Sequence, residues 1–190
     1  QHSLGIKAGG GLSRVTNTVN PSNATWKVGV GPSAQGGLFY RWQITPKSSL
    51  GTEILFRQIE GRERFEFEIW DIDLTPIGVG IGNLSKHISY LTVPITYGIK
   101  LGKIDLITGF QFSYELASSA GDKGKTESSG PEYSWDYTYD ELNIDRYDFG
   151  PQIGVIYALN QQWSLEGTFY HGLNNIIGND APSQTWMVQQ

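Results

Sequence analysis

Leu91-Thr-Val-Pro-Ile-Thr-Tyr-Gly-Ile-Lys-Leu-Gly-Lys-Ile-Asp-Leu-Ile-Thr-Gly-Phe-Gln-Phe-Ser-Tyr114 is the stretch that decides the fold. If Gly102-Lys103 forms a two-residue turn, the partners of all flanking residues follow, because a tight hairpin fixes its own register. Leu101 then faces Ile104, Ile99 faces Leu106, Tyr97 faces Thr108, Ile95 faces Phe110, Val93 faces Phe112 and Leu91 faces Tyr114, all on one side. Lys100 with Asp105, Pro94 with Gln111 and Tyr90 with Glu115 fall on the other. A slip of one residue would mix the two sets, so the turn and the alternation support each other independently.

Working outward, Gly36 to Gln58 repeats the pattern around a polar turn at Thr45 to Ser49. Gly36, Leu38, Tyr40 and Trp42 share a face with Leu50, Thr52, Ile54 and Phe56; Gly37, Phe39, Arg41 and Gln43 share the opposite one with Gly51, Glu53, Leu55 and Arg57. Such alternation marks β-hairpins rather than helices. With these two hairpins included, the strands read as Ser3–Arg14, Val28–Gln43, Leu50–Glu60, Ile88–Leu101, Ile104–Leu116, Arg146–Leu159, Trp163–Leu173 and a short eighth at Gln184–Gln190. Thr16–Lys27, Gly61–Ser85 and Ala117–Ile144 read as long connections. Within the second of these, Phe65–Leu74 alternates acid and apolar residues, as strands continuing beyond the main sheet or packing on a partner would.

Short connections follow strands two, four and six, and long ones follow one, three, five and seven. Sequential antiparallel strands then carry every short turn at one end and every long loop at the other, the layout of an outer-membrane barrel. A soluble ligand-binding barrel is the alternative, and it would turn its apolar face inward. Composition agrees with strands crossing lipid. The 190 residues suffice for a single domain, 1–190; glycine (24) and aromatics (13%) are abundant, and no run approaches the ~20 apolar residues of a spanning helix. A formal charge of −5 leaves no basic footprint for nucleic acid, and the absence of cysteine excludes thiolate chemistry. The chain opens directly into strand-like sequence at Gln1, as an exported chain does once its signal peptide is removed.

Several motifs are similar to a known family. Leu4-Gly-Ile-Lys-Ala-Gly-Gly-Gly-Leu-Ser13, Gly36-Gly-Leu-Phe-Tyr-Arg41, Ser49-Leu-Gly-Thr-Glu-Ile-Leu-Phe-Arg57, Ser89-Tyr-Leu-Thr-Val-Pro-Ile95, Gly109-Phe-Gln-Phe-Ser-Tyr114 and Tyr170-His-Gly-Leu-Asn-Asn-Ile176 resemble the PorT-like "porin family" outer-membrane β-barrel proteins common in Bacteroidota. The resemblance implies a signal peptide, insertion by the barrel-assembly machinery and residence among outer-membrane lipid and lipopolysaccharide. It also implies, for some relatives, a part in protein secretion. The expected fold is all-β, an eight-stranded antiparallel up-and-down transmembrane barrel with its last strand incomplete. Gln184–Gln190 is shorter than the ~9 to 11 residues a crossing strand needs, so further residues are expected after Gln190.

Inward-facing Lys7, Arg41, Arg57 and Lys100 can be matched against Glu53, Asp105, Glu115 and Glu166, because buried charges need partners and an eight-stranded interior is filled by side chains. That reading is a neutralised core; a narrow channel is its alternative. His87 and Ser89 form a His-x-Ser that resembles the motif of outer-membrane lipid A deacylases, without an evident acidic partner. His2 and His171 are isolated. Asp71 with Asp73 and the acids from Asp136 to Asp148 lack the spacing of a calcium loop. No catalytic residue, cofactor or metal is expected. Tyr133, Trp135, Tyr137 and Tyr139, set among acids, are the candidates for contact with a partner protein or glycan, because exposed aromatic patches mark interfaces. The expected role is a non-enzymatic accessory subunit of an outer-membrane assembly, with a lipid hydrolase as a further alternative.

Overall fold

Two opposed residue sets, alternating along most of the chain, generate one antiparallel sheet. The computed structural model describes residues 1–15, 24–70, 73, 75–128, 132–140, 142 and 146–174. In chain order the strands are β1 (His2–Ser13), β2 (Ala24–Val28), β3 (Gly31–Thr45), β4 (Ser48–Trp70), β5 (Pro76–Leu101), β6 (Ile104–Ser128), β7 (Ser134–Tyr139), β8 (Tyr147–Ala158) and β9 (Ser164–Tyr170). The main path runs β1-β3-β4-β5-β6-β8-β9, while β2 pairs with β4 and β7 with β6.

The hairpin register is the one the sequence predicts. Leu101 pairs with Ile104, Ile95 with Phe110, Leu91 with Tyr114, Lys100 with Asp105 and Tyr90 with Glu115. Gly102 turns the corner at φ +69°, a conformation that costs glycine nothing. In the neighbouring hairpin Leu38 meets Ile54 and Trp42 meets Leu50, with an irregularity between Gln43 and Thr45 at the turn.

The apolar set faces outward. Leu4 and Ile6 on β1 are 77% and 83% exposed, and Ile54, Ile95, Phe110, Ile153 and Phe169 are likewise exposed on their own strands. The buried interior is instead mixed, holding Thr92, Thr96, Gln111, Ser113 and Gln152 beside Leu55, Ile88, Ile107 and Ile156. A water-soluble barrel would have these faces exchanged; this one is arranged for lipid outside. On β5 the apolar outward belt runs from Leu101 to Leu91, the ~9 to 11 residues that a tilted strand uses to cross a bilayer.

β4, β5 and β6 then continue far past that belt, at 23, 26 and 25 residues. Pro76–Tyr90 alone reaches roughly 50 Å along the strand. The described residues of Gly61–Ser85 are therefore not a long connection: Gly61–Trp70 and Pro76–Ser85 are the upper parts of β4 and β5, with Phe65 opposite Gly82 and Phe67 opposite Gly80. The segment Thr16–Lys27 includes the start of β2, and Ala117–Ile144 contains the end of β6 and all of β7.

Above the belt both faces of β4 change character. Outward positions become Glu60, Arg62, Arg64, Glu66 and Glu68, while Phe65, Phe67 and Trp26 turn inward. The strand period is unbroken on β4, but the sign of the polarity pattern reverses as the strand leaves hydrocarbon for water. On β6 an extra residue adds to the disguise. Ser89 pairs with Ala117 and Tyr90 with Glu115, so Leu116 is bulged out and the inward set passes from Ser113 and Glu115 to Ser118, Ala120 and Asp122.

Among the described residues β1 and β9 end the main path of the sheet, and Lys7 of β1 reaches Glu166 of β9 at 2.7 Å. Side chains of this length bridge about two strand spacings, roughly 10 Å, so the sheet is strongly curled. The eighth strand read at Gln184–Gln190 lies outside the described residues.

The curl leaves no room at several inward glycines, Gly37 and Gly109 among them. A Cβ on Gly37 would stand 2.0 Å from the Ile54 carbonyl oxygen, and one on Gly109 would stand 2.0 Å from that of Ile95. Gly37→Val or Gly109→Val should therefore cost at least about 2 kcal/mol. Loss of the compact, heat-modifiable band on cold gel electrophoresis after refolding is the expected result; an unchanged band would show that the wall can relax.

Candidate functional site

The inward alternation brings several of the sequence-predicted charges together in the lumen. Lys7, Arg41, Arg57, Lys100, Asp105 and Glu166 line one cavity. Lys7 Nζ lies 2.9 Å from Glu53 and 2.7 Å from Glu166, so one cation serves two carboxylates on opposite walls. Arg41 reaches Asp105 at 3.4 Å. Lys100 stands opposite the same Asp105 at the short-turn end, and Glu115 stands opposite Tyr90. Arg57 lies over the Tyr170 ring at 5.6 Å, and Tyr170 donates its hydroxyl hydrogen to Asp148 at 2.7 Å. Asp148 and Tyr170 were not among the expected site residues, although both fall on the inward set of their strands.

Higher up, Lys86 meets Glu63 at 2.7 Å with side chains only 6% and 1% exposed, a pair missed with the strands that carry it. Continuing the alternation of Glu53, Leu55 and Arg57 along β4 reaches Glu63 directly.

Beyond this pair the inner face turns aromatic. β7 puts Trp135, Tyr137 and Tyr139 on that face, opposite Gly124, Asp122 and Ala120 of β6, and Thr126 bonds to Tyr133 at the next position. The four expected contact residues are thus one side of a strand and its lead-in, not members of a loop. Trp26 packs tilted against Phe65, with centroids 4.8 Å apart, and Phe65 and Phe67 lie 6.4 and 6.1 Å from Trp135.

Glycine makes this floor flat. A Cβ on Gly82 would fall 2.2 Å from Phe65 Cζ, one on Gly80 2.2 Å from Phe67 Cζ, and one on Gly124 2.0 Å from Trp135 Cζ2. Each ring covers the glycine directly across the ladder, a cross-strand pairing that lets the ring lie along the sheet. The indole N–H of Trp135 donates to Asp122 at 3.0 Å, which locks that ring in place.

His87 lies on the outward face, 4.0 Å from the Glu60 carboxylate, and Ser89 is two positions along the same strand. The acidic neighbour invisible to the His-x-Ser reading is therefore supplied by β4. Among the described residues no group of three or more His, Cys, Asp or Glu could hold a metal ion. Asp71 lies outside them.

Two measurements follow from this geometry. Lys7→Ala leaves Glu53 and Glu166 facing each other without their cation, and breaking a buried pair in this way costs about 3 to 5 kcal/mol. Urea unfolding in liposomes should show that loss, and Lys7→Met with Glu53→Gln and Glu166→Gln should recover most of it. The second concerns Asp122, which lies above the apolar belt. Burial raises its carboxyl above the ordinary carboxylate range, against the lowering effect of the Trp135 N–H. The folded state thus holds the proton more tightly than the unfolded chain does. That advantage is complete below the unfolded pKa and is lost as pH rises through the folded one. At neutral pH, Asp122→Asn keeps an acceptor for the indole without a buried charge, so amide exchange in β7 should slow; faster exchange would refute the assignment.

Comparison with known proteins agrees with this architecture. No curated protein and no solved structure matches the chain. The family described as outer membrane protein beta-barrel domain matches residues 1–178, nearly the whole chain. With its lipid-facing apolar belt and ion-paired lumen, the chain belongs to the outer membrane protein beta-barrel domain family.

Proposed function

We propose that this protein is a non-enzymatic accessory subunit of an outer-membrane assembly, anchored by its barrel and joined to its partner through the sheet that rises above the lipid. The observation that carries the reading is the division of labour along β4, β5 and β6. Their lower halves carry the lipid belt and the ion-paired interior. Their upper halves, with β2 and β7, present an aromatic inner face that membrane insertion does not require. Short turns at the opposite end make this sheet the extracellular one, since barrels of this kind carry their long segments outside. The motif resemblance to PorT-like barrels supports a PorT-like subunit and a protein-secretion assembly as its setting.

Side chains crossing the lumen, with Lys7 held between Glu53 and Glu166, favour an anchor over a pore. Affinity purification from native membranes in mild detergent should recover a larger assembly in stoichiometric amount. A combined Trp135→Ala and Tyr137→Ala variant should lose it while still migrating as a folded barrel. Recovery of the wild-type barrel alone would sink the accessory role, and reproducible unit conductance in planar bilayers would replace it with the channel.

A further inference from the structure

We infer that the edge of β7 turned away from β6, open among the described residues, is a docking strand for an extended, basic segment of a protein partner; this rests on the accessory role proposed above and names the surface that serves it. Among the described residues β6 is the strand with which β7 pairs. The Thr126 N–H donates to the Tyr133 carbonyl, which fixes the direction of the ladder. Hydrogen-bonded residues recur at every second position of an antiparallel pair. Trp135, Tyr137 and Tyr139 therefore spend their backbone groups on β6, while Ser134, Asp136 and Thr138 turn theirs to the other side. A row of backbone donors and acceptors so placed is a template for one more strand.

The surroundings determine what that strand must be. Residues 132–140 contain Glu132, Asp136 and Asp140 and no lysine or arginine, and all three acids are exposed. Lys123 offsets one of them, reaching Asp136 at 2.9 Å. On the inner side the added strand would run beside Tyr137, 50% exposed, and Tyr139, whose ring faces attract cations as well as apolar groups. Charge and ring chemistry therefore select a segment whose side chains alternate between basic and apolar, the apolar set lying toward the aromatic floor. An acidic segment would meet like charge at Asp140 and Glu132, at the two ends of this edge.

The test uses the full chain refolded in detergent and a labelled decapeptide of alternating valine and lysine, with its valine–glutamate counterpart as control. Fluorescence anisotropy should show binding of the first and not the second. Thr138→Pro removes an N–H from the open edge while leaving the β6 side of the ladder intact, and it should weaken binding at least tenfold with the heat-modifiable band unchanged. Asp136→Asn with Asp140→Asn should weaken it too and flatten its salt dependence. Equal binding of both peptides, or binding indifferent to Thr138→Pro, would overturn the inference. In native membranes, a partner retained by Thr138→Pro would overturn the docking strand and leave the accessory role standing. Absence of any partner from the wild type would remove the role itself.

Discussion

Lys7 is the contact on which the curvature of the wall depends. It stands on the first strand, yet its ammonium group sits between Glu53 on β4 and Glu166 on β9, the other end of the sheet's main path among the described residues. In hydrocarbon a sheet has no water to solvate its edge, so the wall must roll up. Rolling brings inward charges close together in a space that cannot hydrate them fully. One lysine shared by two carboxylates meets both demands, drawing the edges together and neutralising what the curl has buried. Arg41 with Asp105 repeats the solution near the short turns, and the Arg57, Tyr170 and Asp148 group adds a longer polar relay.

Above the bilayer the same strands answer to a different solvent. The inner face no longer needs to hide charge from lipid and becomes a place for rings, while the outer face takes up alternating acids and bases such as Glu60 with Arg62 and Lys125 with Glu127. Flat rings on a concave sheet require space directly across the ladder, and Gly80, Gly82 and Gly124 supply it. The glycine content that first indicates a turn-rich chain is spent in part on seating aromatics.

Much of the lower half was legible because its two sources of information are independent. The Gly102 turn predicts the same partners as the alternation, and each pair from Leu101–Ile104 to Tyr90–Glu115 is found. The upper half was not, for identifiable reasons. Past Phe56 the outward positions turn charged, so a reader following apolar-out alternation sees the strand end at the place where it changes solvent. Leu116 then breaks the parity on β6, and the inward set resumes on even numbers. The aromatic spacing of Tyr133, Trp135, Tyr137 and Tyr139 was visible in the sequence, but their shared face became clear only once β6 was long enough to pair with them. Glu63 and Lys86 escaped for the same reason, being partners only if both strands continue.

The reversal of facial polarity also determines how deep the molecule rides. Sinking by one residue pair would draw Gln58 and Ser89 into acyl chains, and rising by one would strand Leu101 and Ile104 in water. With both displacements penalised, the barrel has a waterline that its own side chains draw around it. The aromatic floor and the β7 edge are therefore held at a set height above the membrane, so whatever meets them must approach at that level.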